Sequence, residues 1–255
     1  MDGAAVASGF VVGSVVGMTG VGGGSLMTPM LIGWLGVPPA VAVGTDLVFA
    51  SATKGFGSLA HWRHAQVNWT IVARMIAASV TGALLTLLAM SQLGNPAAIA
   101  HWIRPALGVA LLLTAVAVLF RAQLYGWAKQ HPFFHDDAAQ RKATLALGAL
   151  IGVLVTLSSV GAGAIGVTAL MLIYPFIHTR VIVGSDIAYA VPLTMIAGLG
   201  HATLGHFDLS LLLTLLAGSL PGIWLGTKLS TLMPERLLRA LLCGCLTFAG
   251  LKVIQ

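Results

Sequence analysis

The sequence predicts an all-α polytopic membrane protein built from two inverted repeats. Three observations predict it. The 255 residues are 58% hydrophobic and only 8% charged, where a soluble domain carries about 25% charged residues. The apolar residues lie in long continuous runs, without the short alternation of barrel strands. Polar and glycine positions in one half of the chain recur in the other at an offset of about 140.

Taken in order, the apolar segments fall at about 4–35, 41–60, 69–90, 103–120, 143–177, 181–200, 208–227 and 237–254. The one long polar connection, 121–142, divides them into repeat 1 (1–120) and repeat 2 (143–255), with the connection as a cytoplasmic linker. Val43-Gly44-Thr45-Asp46-Leu47 matches Val183-Gly184-Ser185-Asp186-Ile187. His61 matches His201, Asn68 matches Asp208, and Ser79-Val80-Thr81-Gly82 matches Ser219-Leu220-Pro221-Gly222. Packing of membrane helices accounts for recurring glycines; it does not account for paired aspartates and histidines.

The first segment of each repeat is too long for one span of about 20 residues, and each is broken by glycine: Gly22, Gly23 and Gly24 in the first, Gly161 and Gly163 in the second. Consecutive glycines disfavour helix by about 1 kcal/mol each against alanine. In hydrocarbon, broken backbone survives only inside protein or along a polar cavity. Each first segment is therefore expected to be a glycine-broken helical hairpin, re-entrant or half-spanning, followed by three transmembrane helices.

Charge sets the orientation. If each hairpin returns to its starting side, Arg63, Arg121, Lys129, Arg141, Lys142, Arg180, Lys228, Arg236 and Arg239 share one face and only Arg104 and Lys252 oppose them. If each first segment crosses once, the basic residues divide almost evenly. Lysine and arginine favour the cytoplasmic face, so the first arrangement is expected: two inverted repeats with both termini outside the cytoplasm. The net charge of +6 and pI of about 9.8 then reflect inner-face residues. No basic–aromatic interleaving suggests nucleic acid. The first apolar run lacks a charged leader and a cleavage site and reads as mature structure. Cys243 and Cys245 read as small packing residues.

Broken segments in matching positions of two halves point to a transporter's binding site. A half-helix opening after Gly24 offers unpaired N–H groups to an anion, with the Ser25 hydroxyl beside them. The same glycines could serve close helix packing alone. Because the second stretch already carries Ala162, a methyl group at Gly163 is expected to matter less than one at Gly23. Asp46, Lys54 and Asp186 are the ionisable residues deepest in apolar segments, where charge is costly unless paired or hydrated. The aspartates could cap helices, join the repeats or carry a proton; Lys54 could neutralise an anion or extend to the interface. Asp46 and Lys54, about 12 Å apart along a helix, cannot pair directly. His61 and His201 fall near the membrane edges and read as structural, with no metal site between them. Trp34, Trp62, Trp69 and Trp102 read as belt residues.

Gly-Val-Gly-Gly-Gly at 20–24, Gly-Thr-Asp at 44–46, Lys54, His61, Gly-Ser-Asp at 184–186 and Gly-Ser-Leu-Pro-Gly at 218–222 together resemble the sulfite exporter TauE/SafE family, over essentially the whole chain. The resemblance implies a multi-pass protein of the bacterial inner membrane that moves sulfite, a sulfonate or a related sulfur-containing anion, with no cofactor and no catalytic residues. It implies a ligand site drawn from Gly22, Gly23, Gly24, Ser25, Thr45, Lys54, Gly161, Gly163 and Ser185, with Asp46, Asp186, His61 and His201 in coupling or structural roles. Proton and sodium coupling, the direction of transport and the oligomeric state stay open. The competing class is an intramembrane aspartyl protease using Asp46 and Asp186, although neither aspartate sits in a Gly-x-Gly-Asp setting.

Overall fold

A computed structural model describes residues 3–19, 24–62, 67–93, 96–130, 136–230 and 235–254. Gly22, Gly23 and the side chain of His61 lie outside the described residues. Among the described residues ten helices follow one another: α1 (Gly3–Thr19), α2 (Gly24–Gly33), α3 (Pro39–Trp62), α4 (Trp69–Leu93), α5 (Pro96–Gln130), α6 (Asp137–Ser158), α7 (Ala164–Ile173), α8 (Thr179–Thr203), α9 (Leu209–Ser230) and α10 (Glu235–Ile254). Five of them, α4, α5, α6, α8 and α9, contain stretches long and apolar enough to cross a membrane. The exposed apolar side chains, among them Leu84, Leu85, Leu88, Trp224 and Phe248, suit a lipid-facing surface. Trp34, Trp69 and Trp102 are exposed near helix ends, where belt residues belong.

Both first segments are broken hairpins, but their arms are unequal. The first arms have 17 and 22 residues, about 26 and 33 Å; the second arms have 10 each, about 15 Å. The 121–142 connection is also more helical than its polarity suggests: α5 continues through Gln130, and α6 opens at Asp137, capped by the Asp136 carboxylate on Ala138 N–H at 3.3 Å.

The repeat governs the packing. In one seam, a methyl on Gly9 or Gly13 of α1 would land on the backbone of Leu215 or Ser219 of α9. From the other side, Gly218, Gly222 and Gly226 leave room for the backbone of Val6, Phe10 and Ser14. The second seam repeats the first: Gly152 of α6 meets Ser79 of α4, Gly148 meets Met75 and Ala78, and Gly82 meets Ala149. Numbers rise together along each seam, so α1 runs parallel to α9 and α4 parallel to α6. Lipid supplies no hydrophobic drive between helices, so association depends on close packing of this kind. The repeated Gly-Ser-Leu-Pro-Gly stretch at 218–222 belongs to this seam.

The equivalent helices α3 and α8 cross antiparallel. Gly44 packs on His201 and His206, Val48 on Gly198, and the Ser51 hydroxyl donates to the Val191 carbonyl at 3.2 Å. Their counterparts α5 and α10 do likewise, with Ala115 against Cys243 and Leu111 against Gly250. Two matched hydrogen bonds tie the repeats: Asp208 N–H donates to Thr45 Oγ1 at 3.1 Å, and Asn68 N–H donates to Ser185 Oγ at 2.8 Å. Asn68 and Asp208 in turn cap α4 and α9, accepting from Ile71 N–H (3.2 Å) and Leu211 N–H (2.9 Å).

Candidate functional site

Ser51 and Val191, equivalent positions under the 140-residue offset, meet across the α3–α8 pair. Asp46 lies five residues to one side of that contact on α3, and Asp186 five residues to the other on α8. The two carboxylates are therefore separated by about 15 Å along the helix pair. Both are buried.

On the Asp46 side, the Thr28 hydroxyl of α2 donates to Asp46 Oδ2 at 2.5 Å. Phe49 fills the next turn of α3. Ser25 is buried in the first turn of α2, which opens at Gly24. Ser159, from the tip of the second hairpin, lies beside Asp46.

That tip is the site's other wall. α6 ends at Ser158; Ser159 takes a left-handed conformation (φ 58°), and its N–H returns to Val155 O at 2.7 Å. Gly161 and Gly163 have φ of 126° and 134°, which only glycine adopts readily. Gly166 N–H donates to Gly161 O (3.1 Å) and Val167 N–H to Gly163 O (2.8 Å), starting α7. Ala162 does not share the positive φ, so its methyl group says nothing about tolerance at Gly163. Space is open around Gly163, but its backbone is not one an L-residue adopts readily.

Lys54 spans the repeats. Its Nζ donates to the Ala162 carbonyl at 2.9 Å, across 108 residues of sequence, rather than extending along the helix to an interface. It stands three residues beyond Ser51 towards the Asp186 end of the pair, and it interacts electrostatically with both aspartates. Arg121 of α5 adds a second cationic interaction with Asp186. Asp186 Oδ1 and the Tyr189 hydroxyl, one turn apart on α8, both press on Gly166 of α7; a methyl there would stand 2.6 Å from the hydroxyl. Asp186 Oδ1, Tyr189 OH and Thr168 Oγ1 are buried with no hydrogen-bond partner among the described residues. Buried polar atoms are nearly always satisfied, and Asp186 and Tyr189 lie close enough on α8 to interact with one another.

The structure thus gathers Lys54, Gly161, Gly163 and Asp186 around one loop. Thr45 and Ser185, expected to touch ligand, are engaged instead at the inter-repeat junction: Thr45 accepts from Asp208, and Ser185 both accepts from Asn68 and donates to Val181 O at 2.7 Å. His201 is fully buried, with Nε2 at 2.9 Å from the Thr156 carbonyl of α6 and its ring 5.8 Å from that of His206, a structural role. His206 lies in the connection after α8, where burial pushes its imidazole below the ordinary value. Sequence reasoning missed Thr28, Thr168, Tyr189 and Arg121. The two threonines were legible, being 140 residues apart and each 18 residues before its aspartate. Arg121 was hidden by its place in a polar connection.

Comparison with known proteins agrees with this architecture. The model of the family described as "Sulfite exporter TauE/SafE" matches residues 5–253. The chain is 37% identical over 251 residues to "Probable membrane transporter protein YjnA" of Bacillus subtilis (strain 168), covering 96% of this chain and 97% of the relative. It is 24% identical over 245 residues to "Probable membrane transporter protein YdhB" of the same organism, with the same coverage. A "Probable membrane transporter protein" of Xylella fastidiosa (strain Temecula1 / ATCC 700964) is 31% identical over 110 residues, 43% of this chain and 41% of the relative. No solved structure matches significantly. With a whole-chain family match, a ten-helix apolar fold and transporters as relatives, the chain belongs to the sulfite exporter TauE/SafE family of membrane transporters.

Proposed function

We propose that this transporter carries a small sulfur-containing oxyanion, such as sulfite or an organosulfonate, across the bacterial inner membrane, binding it between the two repeats near the bilayer midplane. The observation that carries the reading is the Lys54 ammonium held against the Gly161–Gly163 loop at the start of α7, with buried hydroxyls nearby that lack partners. An ammonium, a helix N-terminus and hydroxyl donors converging in a water-poor place suit an oxyanion. On the first hairpin, Gly22, Gly23, Gly24 and Ser25 would face the same anion from the other repeat. The family's description supplies the sulfur chemistry. The protease alternative fares poorly, because carboxylates about 15 Å apart cannot share the attacking water that an aspartyl dyad needs.

The reading includes an orientation. Antiparallel α3–α8 and α5–α10 pairs favour repeats of opposite orientation in the bilayer, since equivalent helices of parallel repeats would run the same way. Both termini then lie outside the cytoplasm, and the 121–142 connection inside. A reporter active only in the cytoplasm should be silent after Gln255 and active within that connection; the reverse would overturn the orientation. The transport test is a liposome uptake panel of labelled sulfite, sulfate, thiosulfate and small sulfonates. Uptake of at least one, above protein-free vesicles, is expected. Uptake of none would overturn the substrate reading.

A further inference from the structure

We propose that Asp186 is a proton-carrying site that moves one proton with each anion, Lys54 serving as a counter-charge shared between the carboxylate and the substrate. The inference rests on the oxyanion reading and says how its site is coupled.

Three observations carry it. First, Asp186 is buried at 2% exposure, and its Oδ1, like that of Asp46, has no hydrogen-bond partner among the described residues. Asp46 receives the Thr28 hydroxyl on Oδ2, whereas Thr168, the matching threonine of repeat 2, has no partner among the described residues. Asp46 is thus tied to its own hairpin, while Asp186 has the Tyr189 hydroxyl of its own helix beside it instead. Second, the chain places a single lysine between them. Position 194, the equivalent of Lys54, is a threonine whose hydroxyl is turned back onto Ala190 O at 2.9 Å. Third, the groups facing Asp186 are few. α3 contributes Lys54, α5 contributes Arg121, and α8 itself contributes Tyr189. α7 contributes no ionisable group in its span; Arg74 of α4 is turned to the Tyr174 hydroxyl at 3.3 Å, and Arg141 and Lys142 of α6 are exposed near its start.

The consequence is electrostatic. With the site empty, the Lys54 ammonium compensates the Asp186 carboxylate. An arriving oxyanion takes that ammonium, and the carboxylate loses much of its compensation. An uncompensated charge at that depth costs several kcal/mol. A proton from water at the open side then adds to Asp186 Oδ1, forming an O–H bond and neutralising it. On the far side the anion leaves, Lys54 returns to the carboxylate, and the O–H bond breaks to release the proton to water there. No electron changes hands.

The experiment uses full-length protein in liposomes, with the membrane potential clamped by potassium and valinomycin. The probe is whichever labelled anion of the panel exchanges best. A pH gradient, acid on the anion's side, should drive accumulation by wild type; a sodium gradient should not. Asp186→Asn should lose about tenfold or more of the pH-driven accumulation, a coupling of about 1.4 kcal/mol. Folding of the variant is read separately, by size exclusion and melting in detergent, and its exchange of labelled for unlabelled anion, which requires no net proton movement, should fall less than its pH-driven accumulation. Accumulation driven by sodium, or indifferent to the pH gradient in wild type, would overturn the inference, as would an Asp186→Asn variant that accumulates like wild type. If Asp186→Asn does not fold, the wild-type gradients decide. Absence of any anion exchange by wild type would instead overturn the oxyanion reading beneath it.

Discussion

The two ends of the α3–α8 pair were built on one plan and have diverged. Around Asp46, the threonine of the short hairpin arm is bonded to the carboxylate, a phenylalanine stands one turn on, and the lysine-equivalent position holds a self-bonded threonine. Around Asp186, the matching threonine is unbonded, the phenylalanine is a tyrosine, and Lys54 and Arg121 bring positive charge. Meanwhile the seams and the inter-repeat hydrogen bonds are nearly the same in both halves. The difference teaches that the matched plan is kept in the seams and the inter-repeat hydrogen bonds and relaxed around the two buried carboxylates.

The comparison can be broken at the scaffold first, where the largest effects are expected. Gly13→Leu and Gly152→Leu stand at equivalent seam positions and force backbones apart; over-packing costs about 1–3 kcal/mol and sometimes more. Both should lose monodisperse protein in detergent to a similar degree, by size exclusion. A large inequality would show that the seams are not equivalent. Next is Gly163→Ala, which should lower stability by about 1–3 kcal/mol through backbone strain, read as a lower detergent melting temperature. Lys54→Met should weaken anion affinity about tenfold, or about 1.4 kcal/mol, with melting little changed, by uptake against concentration. The smallest effect sharpens the contrast between the ends. Thr28→Val strips a bonded carboxylate of its donor and should cost about 1–2 kcal/mol; Thr168→Val breaks no bond and should cost about 0.5 kcal/mol or less. Equal losses in melting would mean that the two ends are not bonded differently.

Much of this was legible from the residues. Long apolar runs set the class, and the glycine cluster Gly161–Gly163 located the break between α6 and α7 because backbone energetics there is local. The 140-residue repeat exposed Asp46 and Asp186 together. The roles of Thr45 and Ser185 were not legible: their partners, Asp208 and Asn68, lie 163 and 117 residues away, and periodicity carries no information about such pairings. Lys54 was identified as buried charge, but its acceptor is a carbonyl on the opposite hairpin.

The seams also have a consequence for what counts as a unit of this molecule. α1 is fastened to α9 and α6 to α4, so each close-packed helix pair draws one member from either half of the chain. A fragment ending at Gln130 would keep α1 and α4 but lack both partners, leaving bare backbone along Gly9–Gly13 and Gly82 facing lipid. Two fragments made together could each supply what the other lacks. The close-packed unit is therefore the pair of halves, neither of which completes its own seams.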